Sequence, residues 1–242
     1  MPPALRFLPS LPRLLFRPPL LILPLLILLL QPAPPAAAQA AQPAFFAAIA
    51  RDDDADVRVF LLRGATTAAV DRNGTPALVL ATAERAFKVV RTFLAIPGTD
   101  PDATNRAGEN ALMYAALHGS LETVQLLLNK GAQVNRPGWT PLHYATTGGS
   151  VPIVRLLLEE HAFIDAESPN RSTPLMMAVR QGHEALVREL IEAGADPTMR
   201  NDAGLTAADY AQRGGNLPLA QWIRAKATDF TARYKVTGTV QR

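Results

Sequence analysis

Four histidines, His118, His143, His161 and His183, are the side chains with which this chain could move a proton near neutral pH. None stands in a setting that asks for it. There is no G-x-S-x-G elbow for a nucleophilic serine, no H-E-x-x-H pair for a metal and no glycine-rich loop opening a helix for a phosphate. Cysteine is absent, which rules out disulfides, thiol catalysis and thiolate metal sites. The run Asp52-Asp53-Asp54 reads at first as a cation site. Three adjacent carboxylates do not converge on one point, however, and no further oxygen ligands follow at calcium-loop spacing. A solvated turn that caps the following helix is the expectation instead. No cofactor, metal or small-molecule substrate is called for. Attention moves to the tyrosines, three of whose four members (Tyr114, Tyr144 and Tyr210) fall at one phase of a repeating pattern.

That pattern is clearest from Gly138 to His161, GWTPLHYATTGGSVPIVRLLLEEH. Thr140 offers a hydroxyl to the free N–H groups at a helix start, and Pro141 sits where no N–H is needed. Leu142 and Ala145 share one face. Gly148 and Gly149 end this first helix, and a second begins at Val151-Pro152 with Ile153, Val154, Leu156, Leu157 and Leu158 on it. The central alanine of the first helix recurs as Ala115, Ala145, Ala178 and Ala211, at intervals of 30, 33 and 33 residues. Weaker copies place it at Ala81 and Ala48, and the second helices repeat in step.

A period near 33 carrying Thr-Pro-Leu-His resembles the ankyrin repeat from about Gln42 to Ala227. The resemblance implies an all-α solenoid of about six helix-turn-helix repeats, two of them caps, with short β-hairpin fingers between repeats. The expected domain is 41–227, with repeats near 42–73, 74–107, 108–137, 138–170, 171–203 and 204–227. It also implies structural roles for His143, whose imidazole would bond neighbouring backbone, and for His183 in a Gly-His turn. Two departures stand out. Gln133-Val134-Asn135 runs almost directly into Pro137-Gly138, a deletion of three residues from one finger, and His161 replaces the glycine that usually ends a second helix, which predicts an altered turn.

Residues 1–40 read as a secretory signal peptide. Arg6, Arg13 and Arg17 form a positive region, Leu20 to Leu30 an apolar core broken by Pro24, and Ala38-Gln39-Ala40 or Ala36-Ala37-Ala38 a small-residue cleavage site, so cleavage is expected after Ala40 or Ala38. The competing reading is an uncleaved anchor, for which 11 apolar residues fall short of the roughly 20 that a spanning helix needs. Richness in Arg, Ala and Pro suggests a bacterial chain and a periplasmic destination. The formal charge of +3 does not argue for nucleic acid: without the leader's three arginines, 21 basic residues face 21 acidic ones. Residues 228–242 lack helical periodicity and read as a flexible basic tail, with Tyr234-Lys235-Val236 as an alternative short strand or docking peptide.

In the repeat family, one position between the inward residues of each first helix varies and points toward a concave groove. Here it carries Leu80, Tyr114, Tyr144, Met177 and Tyr210. Either each side chain completes the edge of the core, or the tyrosines form a strip for a partner, offering large area at little entropic cost. Beyond them lie Leu117, His118, Thr147, Arg180, Gln181 and Arg213. Arg180 and Arg213, one repeat apart, either grip an acidic segment or remain solvated charges. The candidate partner-binding set is therefore Tyr114, Tyr144, Met177, Tyr210, His118, Arg180, Gln181 and Arg213. The functional expectation is a monomeric, non-enzymatic protein–protein interaction module in the periplasm whose partner is another exported protein. Alternatives are a membrane-tethered scaffold, if the leader stays, and an immunity-type protein neutralising an exported toxin.

Overall fold

Helices of seven to nine residues are too short to stand alone in water, so each helix here exists by packing on its neighbours. The computed structural model describes residues 36–237, and the expected signal peptide up to residue 35 lies outside them. Among the described residues there are twelve helices in six pairs: α1 (Ala36–Ala50) with α2 (Asp54–Leu62), α3 (Ala77–Ala83) with α4 (Phe87–Ala95), and α5 (Ala111–Leu117) with α6 (Leu121–Asn129). Then come α7 (Pro141–Gly148) with α8 (Val151–Glu159), α9 (Pro174–Arg180) with α10 (Glu184–Glu192), and α11 (Ala207–Arg213) with α12 (Leu217–Thr237). The odd-numbered helices from α3 to α11 stack in one layer and α2 to α10 in a second. Each repeat touches only its neighbours, as a solenoid requires. The periodic alanines Ala48, Ala81, Ala115, Ala145, Ala178 and Ala211 are all buried at the first-helix contacts. Their small side chains let the first helices of neighbouring repeats pack closely.

Each repeat uses the left-handed region of backbone space at three places: the turn between its helices, the end of its second helix and the finger. Every positive-φ residue among those described falls at one of these phases. Most are glycine, as the conformation favours. The exceptions are Asp52 and Arg85 in the helix turn, Arg171 in a finger and His161 at φ +64 where Gly131 and Gly194 stand in adjacent repeats. The turn expected at His161 is thus a left-handed one held without glycine. Asp52 has a compensation, since its carboxylate accepts from the Lys88 and Val89 N–H groups at 2.9 and 3.0 Å and caps α4 from the preceding repeat. Asp53 caps α2 through the Asp56 N–H at 3.0 Å, and Asp54 pairs with Arg58 at 3.1 Å. The three carboxylates have three separate structural duties.

The fingers depart from the expected β-hairpins. Only isolated bridges occur among the described residues, Val70 with Pro76 and Thr104 with Asn110. Side chains take over the pairing that strands would supply: Asp71, Asn105 and Asn201 each accept two backbone N–H groups across their own turn. A second set of acceptors links finger to finger, with Asp102 accepting from Gln133 N–H at 3.0 Å, Asn135 from Phe163 N–H at 2.8 Å and Asp165 from Asp196 N–H at 3.0 Å. The three-residue deletion is visible here. Glycines 131 and 138 are seven positions apart where the other fingers span ten, so Asn135 falls at both acceptor phases at once. It serves the inter-finger one, also donating to the His161 carbonyl at 2.8 Å, and the turn-closing acceptor is lost.

The tail is a correction. Helix α12 continues to Thr237, well past Ala227, so residues 228–237 are helical rather than a flexible segment or short strand. Thr228 and Thr231 hydroxyls donate to carbonyls four residues back and replace solvent as their partner. Trp222 anchors the helix to α10, with the Arg188 guanidinium 4.6 Å from its ring centre. At the other end Phe45 packs edge-on to Phe60 at 6.0 Å and lies 6.2 Å from Phe93.

Two measurements probe these constraints. Replacing His161 by glycine removes a strained conformation and raises the urea midpoint by about 1 kcal/mol equivalent at unchanged slope, whereas Asp52→Gly lowers it because α4 loses its cap. Burial pushes the Asp165 carboxyl up to about 6 from 3.8, against the lowering effect of the Asp196 N–H and with the help of the Asp196 charge. Between those two values the folded state holds a proton that the unfolded state has released, so this group's contribution to stability falls as pH rises through that window and stays low above it. Asp165→Asn keeps the acceptor, as Asn135 does at the same phase. The variant is expected to be more stable by about 1–3 kcal/mol above pH ~6 and to lose this slope in thermal melts from pH ~4 to ~7.

Candidate binding groove

The first helices that face the groove begin with side-chain caps. Asn110 accepts from Met113 N–H at 3.1 Å, Thr173 from Met176 N–H at 3.4 Å, and Thr206 exchanges hydrogen bonds with Asp209. At α7 the Thr140 N–H donates to His143 Nδ1 at 3.2 Å, so the ring proton is on Nε2, which donates to the Ser172 carbonyl of the next repeat at 2.9 Å. Burial pulls the His143 pKa down, against the raising effect of the Ser172 and Ala166 carbonyls, which keeps the ring neutral. Trp139 covers it edge-on at 5.3 Å.

One turn along, Tyr114 and Tyr144 converge on a residue the sequence reading passed over. Both hydroxyls donate to the Glu109 carboxylate, Tyr114 to Oε2 at 2.6 Å and Tyr144 to Oε1, and the Asn105 amide adds a third donor at 2.8 Å. The two rings meet edge to face at 6.3 Å. Burial pushes the Glu109 carboxyl up, but the hydrogen bonds from Asn105, Tyr114 and Tyr144 together outweigh it and hold the pKa below the usual carboxylate value. Burial and the Glu109 carboxylate raise the Tyr114 phenol to about 12 and push Tyr144 higher still. With their hydroxyls committed, both tyrosines offer a partner ring edges and faces rather than free O–H groups.

The other expected site residues divide. Met177 is buried, 6% exposed, and lines the depression beside Tyr144 rather than projecting from it. His118 stacks on Tyr114 at 6.3 Å, and its Nε2 lies 3.0 Å from the Ala83 carbonyl of the preceding repeat. His183 does the same to the Thr147 carbonyl at 3.1 Å. Both histidines therefore tie repeats together. Tyr210 stands apart from the other tyrosines, its hydroxyl accepting from the Asn201 amide at 2.8 Å. Arg180, Gln181 and Arg213 are exposed. Leu117, Trp139, His143, Tyr144, Thr147 and Met177 enclose a depression of about 190 Å³ between the third, fourth and fifth repeats.

Glu109 and Trp139 are the side chains of this candidate site that the sequence reading missed. They share a phase, each standing immediately before the cap residue of a first helix, and that phase was the available signal. The arrangement can receive an apolar side chain against aromatic walls. Among the described residues no group of three or more His, Cys, Asp or Glu converges as a metal site would, and no helix is long and apolar enough to cross a membrane.

Sequence comparisons agree with this geometry. A model of ankyrin repeats in three copies matches residues 88–168, and one of ankyrin repeats in many copies matches residues 175–224. The chain is 38% identical to human B-cell lymphoma 3 protein over 152 residues, 60% of this chain and 34% of that one. It is 28% identical to a putative ankyrin repeat-containing protein of Treponema pallidum over 168 residues, 69% of this chain and 46% of that one. The Bos taurus mitochondrial disaggregase is 30% identical over 135 residues, 53% of this chain and 20% of that one. The chain thus spans less than half the length of each of these relatives. Its repeats, its capped helix pairs and these matches place it in one group: the chain belongs to the ankyrin-repeat proteins, whose fold is a protein–protein interaction module.

Proposed function

We propose that the chain is an exported protein-binding module that holds another periplasmic protein in the groove lined by Trp139, Tyr144 and Thr147. The observation that carries this reading is the depression itself. It is bordered by two large aromatic side chains, and the His143 ring and the Tyr144 and Thr147 hydroxyls already have partners, so a partner's apolar side chain enters without stranding those groups. Aromatic anchors of this kind dominate binding energy in protein interfaces. Arg180 and Arg213 have no hydrogen bond or ion pair among the described residues and stand ready for a partner's acidic groups. Export rests on the leader pattern of residues 1–40.

Expression in a Gram-negative host tests both halves. The mature N-terminus, read by mass spectrometry of the periplasmic fraction, is expected at Gln39 or Ala41; an intact leader in the membrane fraction would sink the export reading. A partner captured by the wild-type chain is expected to bind Trp139→Ala and Thr147→Arg at least tenfold more weakly, a loss of about 1.4 kcal/mol or more. Equal retention by both variants would remove the groove from consideration. The state of the groove has its own readout. In Glu109→Gln the phenols lose the neighbouring negative charge, so a spectrophotometric titration is expected to show Tyr114 ionising below its value of about 12 and closer to the ordinary 10.

A further inference from the structure

Four of the five second helices from α2 to α10 carry an arginine at one repeat phase, Arg58, Arg91, Arg155 and Arg188, with Gln125 there in the third repeat, and three of the four arginines strap their repeat to the next. Arg91 pairs with Glu122 at 3.0 Å, Arg155 with Glu189 at 2.6 Å, and Arg188 covers Trp222. Arg58 is the exception. The two positions it would reach on α4 are Lys88, at the phase of Glu122, and Thr92, at the phase of Leu126, Glu189 and Trp222. A like charge and a short side chain offer it nothing, and it turns back to Asp54 on its own helix.

The joint between α2 and α4 is left open as a result. A hollow of about 830 Å³ runs along it, against about 350 Å³ at the strapped joint between α4 and α6. Leu61, Leu62, Ile96 and Pro97 wall it, and Leu62 is 88% exposed. Thr92 lines it at 9% exposure, and its hydroxyl has no hydrogen-bond partner. A solvated outer face has no use for such a surface, since exposed contiguous apolar area is the mark of an interaction site.

We propose that this hollow is a second docking surface, which takes a segment of a partner protein carrying a carboxylate and a large aliphatic side chain about one helical turn apart. The neighbouring joint shows what completes such a site: Glu122 meets the arginine, and Leu126, four residues on, occupies the position that is Thr92 here. A partner supplying the same pair places its carboxylate between Arg58 and the Lys88 ammonium, which has no ion pair among the described residues. Its aliphatic chain then lies over Thr92 between Leu62 and Ile96. The chain's own first 35 residues contain no carboxylate and do not fit. This surface lies on the opposite layer from the groove and stands independently of it.

The test is a displayed library of short alanine-framework helices, randomised on one face and selected on the full chain. Enrichment of an acidic and a large aliphatic residue four positions apart is expected. The enriched helices should bind Lys88→Glu/Thr92→Leu at least tenfold more weakly, because that double variant rebuilds the strapped joint, and its thermal midpoint should equal or exceed the wild type's. Thr92→Val, which exchanges only the hydroxyl for a methyl, should retain binding, and so should Trp139→Ala. Enrichment lacking the acidic–aliphatic pair, or equal binding to the double variant, overturns the proposal. So does a wild-type dimer in sedimentation that the double variant makes monomeric, since the occupant is then a second copy.

Discussion

The stacking of one helix pair on the next is the interaction on which everything else in this chain depends. A first helix of seven residues has too few internal hydrogen bonds to offset the cost of ordering its backbone, and its buried alanines contribute little apolar area. What makes the pair stable is the neighbour. The closeness of that contact is visible at Gly148, where a Cβ atom would sit 2.3 Å from the Leu117 carbonyl of the preceding repeat. No side chain fits there, so the third and fourth repeats are in backbone contact at the inner layer. The buried large side chains, from Phe93 and Leu127 to Ile153 and Leu157, fill the space behind.

Polar groups that cross between repeats give this stack its register. Burial between two repeats strands backbone groups that neither repeat can satisfy alone. His118, His143 and His183 reach carbonyls of an adjacent repeat, while Asp52, Asp102, Asn135 and Asp165 receive N–H groups of the next one. These residues are spent on the fold: three of the four histidines and the run of three aspartates each hold a structural partner. A proton-transfer role needs a ring nitrogen free to face a substrate, and both nitrogens of His143 are occupied within the protein.

Much of this was legible in the sequence because it is periodic. The alanine spacing gave the number and phase of the helix pairs, the missing glycine at His161 marked an altered turn, and the 30-residue step located the shortened finger. What was not legible depends on which of two neighbours a side chain meets. Met177 shares the phase of Tyr144, yet it is 6% exposed where Tyr144 is only half-buried, a difference set by the neighbouring repeat rather than by the phase. Glu109 lay in a finger with no local hint that two tyrosines from different repeats would close on it. Arg91 and Arg58 look alike in sequence, and only their partners, Glu122 and Lys88, distinguish a strap from an open joint. The helical course of α12 was missed because Thr228, Thr231 and their neighbours have no apolar periodicity, and their hydroxyls bond the helix's own carbonyls instead.

Function in such an array is to be sought where the repetition breaks, because identical joints present identical and already satisfied surfaces. Two breaks stand out. Between the third and fourth repeats the short finger, Glu109 and Trp139 coincide beside the aromatic depression. Between the first and second, Lys88 and Thr92 replace the residues that would close the outer layer. The first break adds bulk, filling a phase with aromatic side chains, and the second subtracts it, leaving a hollow with unmatched charge. Each departs from a stabilising choice made elsewhere in the same chain. Because a solenoid couples only nearest neighbours, each departure weakens a single joint and leaves the others intact. A repeat protein can therefore carry two recognition surfaces, one on each layer, without either constraining the other.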